Sequence, residues 1–353
     1  MIQKHPEYIK QLTFPRFILA VIVVVYHFGL ELPPFANSIV SEFFNNGAVC
    51  VSFFFFLSGF VMAYNYNENI NFLKYWKKRF IRIYPTYIVT FLFVFIAIYL
   101  FGKKEFTLST VLINILALQS WVIGQAVEFN FPSWSISVEF FFYLTFPFVL
   151  YIYNKIRKKT FFIWALVLII LGWIQHILFV EVVWEPNRFF LSQFILYFPL
   201  FHFTTFLAGF LIGKLIYFIK KTELPKWLPF TMWFVGVVLF FFVLNTENLF
   251  RPYAHNGILS PLYGVICLGL ALDKSIISRI LGSKPFLFLG NISYGIYMWQ
   301  FPVFIVFTQF LSLEVNSVTY FVFYLLLLIL TSAIMYFLVE KKFRSWLSSK
   351  LLK

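Results

Sequence analysis

The sequence predicts an all-α, polytopic membrane protein with ten transmembrane helices. Hydrophobic residues make up 61% of the 353 residues and charged residues only 12%, whereas a soluble domain has about 45–50% and about 25% respectively. This composition excludes a soluble globular protein, and it excludes disorder, which requires low hydrophobicity and high net charge. Ten apolar stretches approach the length of about 20 residues that a helix needs to cross a bilayer. They lie at roughly 12–32, 46–66, 83–102, 134–154, 160–180, 196–219, 227–244, 258–272, 286–310 and 318–339.

The distribution of lysine and arginine predicts the orientation. The predicted orientation depends on whether an eleventh apolar stretch, Phe106–Val127, crosses the membrane. This stretch carries Asn114, Gln119, Ser120 and Gln125. If this stretch does not cross and the N-terminus is cytoplasmic, 23 of the 28 basic residues lie in cytoplasmic segments and four in outer segments. If it crossed, every later segment would change sides and this positive-inside bias would be lost. We therefore predict that both termini are cytoplasmic and that Phe106–Val127 is interfacial or re-entrant at the outer face.

The remaining global features agree with a membrane protein. The first apolar stretch, Leu12 to Leu32, is predicted to be retained as the first span, because no small-residue cleavage site follows it. The net charge of +14 indicates cytoplasmic loops that face anionic lipid, and not a nucleic-acid partner. Cys50 and Cys267 are isolated within apolar stretches, so they predict neither a disulfide framework nor a metal site.

The first span contains two ionisable residues, Arg16 and His27. Eleven residues separate them, which corresponds to a net rotation of about 20° and a rise of about 16 Å along a helix. Both therefore face one side, with Arg16 in the inner third and His27 in the outer third. Ionisable residues within a span are functional by default. The structural alternatives are snorkelling of Arg16 to the interface and a helix-packing hydrogen bond for His27.

Glu139 is predicted to lie in the outer third of the fourth span, at about the depth of His27, because this span enters from outside. A carboxylate at that depth must be paired, protonated or exposed to water. A histidine and a glutamate at one depth form a plausible general-base pair, in which the carboxylate orients the imidazole. In the alternative, Arg188 or Arg251 from the outer loops neutralises Glu139.

The densest basic cluster precedes the third span on the predicted cytoplasmic side. Within it, Arg79 and Arg82 are three residues apart and share a helix face. Together with Arg16 at the same inner level, they could bind a phosphorylated ligand, since arginine is suited to bidentate phosphate contacts. The alternative for this cluster is plain positive-inside topology.

Six motifs in order resemble the acyltransferase-3 family of bacterial integral-membrane acyltransferases. Arg16 and His27 match its Arg-x10-His signature. The other five matches are Phe54–Phe60 to FFxLSGF, Arg79–Pro85 to RxxRxxP, Trp134–Glu139 to WSLxxE, Ile292–Trp299 to SYxxYLW, and Glu340–Arg344 to ExPxxR. Some positions depart from the family pattern: Ile136 stands where leucine is usual, Lys342 where proline is usual, and Gln300 where histidine is usual. Glutamine can form hydrogen bonds but cannot take up a proton.

The resemblance implies one membrane-embedded acyltransferase domain over 8–343, followed by a short cytoplasmic tail over 344–353 and by no hydrolase-like domain. It implies transfer of an acyl group, commonly acetyl, from cytoplasmic acyl-CoA to a hydroxyl of a cell-envelope glycan or lipid-linked sugar, in the inner (cytoplasmic) membrane of a bacterium. The expected catalytic residues are His27 and Glu139, with Arg16, Arg79 and Arg82 binding the donor. Further substrate-site candidates are Ser58, Trp134, Ser135, Tyr294, Trp299 and Gln300.

We expect no permanently bound cofactor, no metal and no nucleic-acid partner; acyl-CoA is the donor substrate. The alternative function is a proton-coupled transporter or exporter of an envelope sugar or lipid, in which His27 and Glu139 form a proton relay. A transporter would explain these two residues equally well. It would not explain the inner arginine cluster or the six motifs.

Overall fold

The computed structural model describes residues 8–36, 39–68, 70–102, 105–183, 189–246 and 251–351, and every regular element within these ranges is helical. The predicted all-α class is therefore confirmed. The α-helices are α1 (Pro15–Phe28), α2 (Ser41–Asn45), α3 (Cys50–Asn65), α4 (Phe72–Phe101), α5 (Leu108–Ile115), α6 (Trp134–Lys155), α7 (Lys158–Val183), α8 (Phe189–Tyr197), α9 (Pro199–Ile219), α10 (Leu228–Leu244), α11 (Arg251–His255), α12 (Ser260–Leu272), α13 (Ile276–Leu281), α14 (Lys284–Ile305), α15 (Val318–Met335) and α16 (Arg344–Leu351).

Within the described ranges, seven helical segments are long and apolar enough to cross a membrane. They are Lys10–Phe28, Gly47–Asn65, Phe72–Phe101, Phe131–Lys155, Lys158–Val183, Phe190–Ile219 and Val318–Lys350. The other three predicted spans coincide with α10 and α12, which are shorter apolar helices, and with α14, which is 22 residues long but contains several polar residues. The chain is therefore a multi-pass membrane protein, while ten crossings and cytoplasmic termini stay predictions.

Helices α3 and α9 cross with their backbones in contact. A Cβ atom on Gly59 would collide with the carbonyl oxygen of Phe206, and one on Gly209 with the carbonyl oxygen of Phe56. Gly213, one turn further along α9, lies against α3 in the same way. Small residues four apart allow such close approach in membranes, where helix association depends on packing and not on the exclusion of water.

Three helices contain an internal proline, at Pro85 in α4, Pro147 in α6 and Pro302 in α14. In the last two, a side chain from elsewhere satisfies the carbonyl that the proline leaves free. Proline has no N–H, so the carbonyl four residues before it loses its helical partner. Trp76 Nε1 donates at 3.1 Å to the carbonyl four residues before Pro147 in α6. Asn130 Nδ2 donates at 3.0 Å to the carbonyl four residues before Pro302 in α14. At both prolines the freed carbonyl is therefore satisfied inside the apolar bundle.

The eleventh apolar stretch folds back on itself beside α4. At one end, the rings of Phe106 and Phe129 lie 4.4 Å apart. At the other end, Tyr84 OH in α4 donates at 3.0 Å to the carbonyl of Ile115, and the chain then turns at Ala117, whose φ is 54°. The chain thus turns back beside one helix, while its interfacial or re-entrant placement at the outer face stays a prediction.

Candidate active site

A cavity of about 220 Å³ lies between α1, α3, α4, α6, α14 and the segment that joins α15 to α16. We call it the arginine cavity, because its walls carry four arginines together with two glutamates: Arg16, Arg79, Arg82, Arg344, Glu139 and Glu340. Four positive charges face two negative ones, so the cavity favours an anionic ligand. Arg344 is exposed, and the cavity therefore reaches the protein surface beside it.

Arg79 is held in the wall by three aromatic rings. Its side chain is only 9% exposed, and its Cζ lies 5.3 Å from the ring centroids of Tyr75 and Tyr143 and 5.7 Å from that of Tyr66. The negative face of an aromatic ring attracts a guanidinium at such distances. The three tyrosines thus fix the position of the charge without neutralising it.

Glu139 faces the arginine cavity from α6. One of its carboxylate oxygens, Oε1, accepts a hydrogen bond from Tyr143 OH at 2.5 Å and another from Ser58 Oγ at 3.2 Å. The alternative partners in the outer loops, Arg188 and the side chain of Arg251, lie outside the described residues. The ring of Tyr143 also lies against the guanidinium of Arg79. The same tyrosine therefore positions both Glu139 and Arg79.

His27 lies beyond the cavity, at the end away from Arg16. Its Nδ1 is 2.7 Å from Oε1 of Gln300, and its ring meets the ring of Phe131 edge-on at 4.7 Å. Tyr297, three residues before Gln300 in α14, is part of the cavity wall. His27 is therefore about one helical turn past the cavity, on the same side of α1 as Arg16.

The structure does not join His27 to Glu139 as predicted. The sequence count placed both at one depth on the assumption that α6 begins at the membrane surface. In fact α6 begins inside the bundle, where Tyr297 OH donates at 3.1 Å to the carbonyl of Pro132. Glu139 lies five residues beyond Trp134, a rise of about 7.5 Å along the axis of α6. The two residues therefore occupy different levels, and each has its own hydrogen-bond partners.

Comparison with known proteins identifies the family. The sequence model of the acyltransferase-3 family, described as an acyltransferase domain, matches residues 9–340. The chain belongs to the acyltransferase-3 family. No solved structure matches it significantly.

Several curated proteins resemble this acyltransferase-3 chain. Acyltransferase MdmB of Streptomyces mycarofaciens is 38% identical over 32% of the chain and 30% of MdmB. O-acetyltransferase OatA of Staphylococcus aureus is 22% identical over 96% of the chain and 58% of OatA. YrhL of Bacillus subtilis, named as a candidate peptidoglycan O-acetyltransferase, is 22% identical over 86% of the chain and 50% of YrhL. The chain thus spans about half the length of OatA and of YrhL.

Most of the predicted site residues of this acyltransferase-3 domain lie together in the cavity wall. These are Arg16, Ser58, Arg79, Arg82, Ser135, Glu139 and Tyr294. Tyr294 OH also donates at 2.9 Å to the carbonyl of Ile83, which ties α14 to α4. The structure thus gathers the motif residues, while their roles stay predictions.

Three of the other predicted residues are buried elsewhere. Trp134, at the start of α6, packs against the rings of Tyr197 and His202 at 4.7 and 5.4 Å. Trp299 lies 6.0 Å from the ring of Phe93, in a separate apolar cluster. Gln300 contacts His27 and is fully buried. None of the three belongs to the described lining of the arginine cavity.

Sequence reasoning missed two charged residues of the cavity wall, Glu340 and Arg344. A π-helical stretch, Tyr336–Phe343, joins α15 to α16 in the acyltransferase-3 fold and brings both side chains to the cavity. One oxygen of Glu340, Oε1, is buried without a hydrogen-bond partner in the described part of the chain. The closing family motif was the available signal, since it contains both residues. The π-helix itself was not predictable from local sequence.

A buried histidine cluster was also missed. His176 lies 2.6 Å from the carbonyl of Pro252 through Nε2, and its Nδ1 lies 3.1 Å from Asn256 Nδ2. A carbonyl only accepts, so Nε2 carries the proton, Nδ1 accepts from Asn256, and His176 is neutral. His255 Nδ1 lies 3.2 Å from Asn256 Oδ1. The cluster fastens α7 to α11, which is a packing role.

Proposed function

We propose that the chain is a membrane O-acyltransferase that moves an acetyl or similar acyl group from acyl-CoA to a hydroxyl of a cell-envelope glycan or lipid-linked sugar. The observation that carries this proposal is the placement of a histidine just beyond one end of a positively charged cavity. Arg16 and His27 lie on one face of α1, about 16 Å apart along the helix axis. The arginines thus suit the phosphates at one end of acyl-CoA, and the histidine suits the thioester at its other end.

The donor has phosphates at one end and a thioester at the other, joined by a flexible arm. In the proposal the phosphates bind among Arg16, Arg79, Arg82 and Arg344, which supply several charge-assisted hydrogen bonds. The arm extends between α3 and α14 toward Tyr297. Acyl-CoA enters from the cytoplasm and leaves as CoA, so it is a substrate and not a bound cofactor.

His27 is the proposed general base. Its imidazole takes the proton from the acceptor hydroxyl as the hydroxyl oxygen attacks the thioester carbonyl. The new C–O bond forms, the C–S bond breaks, and the CoA thiolate leaves with the electron pair. The imidazolium then returns the proton to the thiolate or to water. Glu139 lies on the donor side of the cavity, so its proposed role is to position the donor together with Tyr143.

The printed names of the relatives support the acceptor class. OatA is named an O-acetyltransferase, and YrhL is named for O-acetylation of peptidoglycan. We extend this class to the present chain: the acceptor is a cell-envelope glycan, reached from the outer face of the inner membrane. In this arrangement both termini and the mouth of the cavity beside Arg344 face the cytoplasm, in agreement with the distribution of basic residues.

The test is acetyl transfer by the purified full chain in liposomes. The experiment supplies acetyl-CoA labelled in the acetyl group and measures both CoA release and label transfer to peptidoglycan fragments and lipid-linked sugars. His27→Gln is the matched variant, with correct insertion checked by size-exclusion chromatography and melting temperature. We expect transfer with the native chain and a loss of about 10²-fold or more in the variant. Sugar transport without CoA release by a folded protein would instead support the transporter alternative.

A further inference from the structure

We propose that Gln300 is a positioning residue for His27: its amide holds the imidazole as the Nδ1–H tautomer and leaves the Nε2 lone pair free to accept a proton. This inference rests on the proposed function, because it explains how the proposed base is prepared. Glutamine stands where the family usually has histidine, and the arrangement around it assigns it a function that needs no proton of its own.

The orientation of the Gln300 amide follows from its two hydrogen bonds. Its Nε2 donates at 2.8 Å to the carbonyl of Tyr297. A carbonyl oxygen only accepts, so the amide nitrogen must face Tyr297, and the amide oxygen must face His27. That oxygen, Oε1, lies 2.7 Å from His27 Nδ1. It also only accepts, so Nδ1 must carry the proton.

A neutral imidazole with its proton on Nδ1 has its lone pair on Nε2. Phe131 meets the His27 ring edge-on, with an interplanar angle of 85°. The hydrogen bond from Gln300 and the Phe131 contact therefore restrain the ring from two directions. Nε2 is left as the ring atom that can accept a proton from an acceptor hydroxyl.

The support for Gln300 is itself rigid. The side chain is fully buried, and Tyr324 OH in α15 donates at 2.9 Å to the backbone carbonyl of Gln300. A carboxylate would orient His27 in the same way, as in a Ser-His-Asp triad. An amide provides the same acceptor atom without the cost of a second charge inside the bundle.

The test compares Gln300→Met with Gln300→Glu. Methionine is similar in length but offers no amide oxygen to Nδ1, whereas glutamate keeps the acceptor and adds a charge. The first measurement is ¹⁵N NMR of the full chain in nanodiscs with ring-labelled histidine, the His27 signals being assigned by difference against His27→Gln. We expect the proton on Nδ1 in the native chain and in Gln300→Glu, and a mixture of tautomers in Gln300→Met.

The second measurement is the kinetics of acetyl transfer. We expect Gln300→Met to lower kcat by about tenfold or more, a part of the 10²–10⁴-fold that a general base supplies, with the KM for acetyl-CoA unchanged. Gln300→Glu should remain active, and the acidic limb of its pH–rate profile should move to higher pH, because a carboxylate stabilises the imidazolium. A residue that only fills space would cause neither the tautomer change nor the pH shift.

Two results would overturn the inference. One is a native chain with the His27 proton on Nε2, which is informative even if both variants fail to fold. The other is a Gln300→Met variant with native tautomer and native kcat. The NMR measurement needs no substrate, so the two proposals fail separately. If the native chain transfers no acetyl group, the proposed function is refuted whatever the tautomer, and if His27→Gln leaves acetyl transfer intact, His27 is not the base.

Discussion

Replacing Arg79 by alanine tests whether the arginine cavity binds the phosphates of acyl-CoA. The guanidinium is 9% exposed and is held 5.3–5.7 Å from three tyrosine rings, so little side-chain entropy is lost when a phosphate binds. A hydrogen bond between charged groups contributes about 1.5–3 kcal/mol. This energy corresponds to about a 10- to 150-fold change in affinity. We expect the Kd of acetyl-CoA to rise by that factor in Arg79→Ala.

The neighbouring Lys78 provides the matched control. Lys78→Ala removes the same charge from the adjacent position of α4, but Lys78 is exposed and is not part of the cavity wall. An exposed charge contributes at most about 1 kcal/mol, which is about fivefold in affinity, and salt screens it. The assay is equilibrium binding of labelled acetyl-CoA to the full chain in nanodiscs, at low and at physiological salt. Equal effects of the two substitutions, or an unchanged Kd in Arg79→Ala, would refute the assignment.

Three further predictions follow from the packing and the topology. Gly209→Ala should lower the free energy of unfolding by about 1–3 kcal/mol through overpacking, whereas Gly264→Ala, whose added Cβ lies 3.3 Å or more from the side chains of Ile212 and Phe56 and meets no backbone, should change the melting temperature much less; equal melting temperatures would contradict the close crossing. Tyr143→Phe removes the shorter hydrogen bond to the cavity carboxylate and should lower kcat/KM for acetyl transfer by about tenfold or more; a native value would exclude a role for this contact. In a background lacking the native cysteines, a cysteine at Asn316 should react with an impermeant thiol reagent from outside and one at Lys221 only from inside; labelling of both from one side would overturn the predicted orientation.

The helical class and the grouping of Arg16, Arg79 and Arg82 were predictable from sequence, because they depend on apolar length and on spacing along single helices. Arg16 and His27 share a face since eleven residues make about three full turns. Arg79 and Arg82 reach one cavity because residues three apart are neighbours on a helix. These relations hold wherever the helices lie in the bundle.

The relative depth of two helices was not predictable, because it depends on the path between them. For this reason the sequence did not show that His27 and Glu139 have separate hydrogen-bond partners: the chain leads into α6 from inside the bundle. Counting residues from an assumed membrane surface cannot detect such an entry. The contribution of Glu340 was hidden in a similar way, since a π-helical stretch changes which side chains face inward without a local sequence signal.

The crossing of α3 and α9 has a mechanical consequence for the arginine cavity. Where glycine brings two backbones together, no side-chain rotamer lies between them to yield, so the two helices move as one body. Ser58 sits beside Gly59 on α3, and the wall that it forms is therefore stiff. The opposite wall ends in the partly exposed π-helical stretch and in Arg344. If the cavity widens to admit a long donor, we therefore expect the change at this last helical segment and not at the wall that α3 and α9 form.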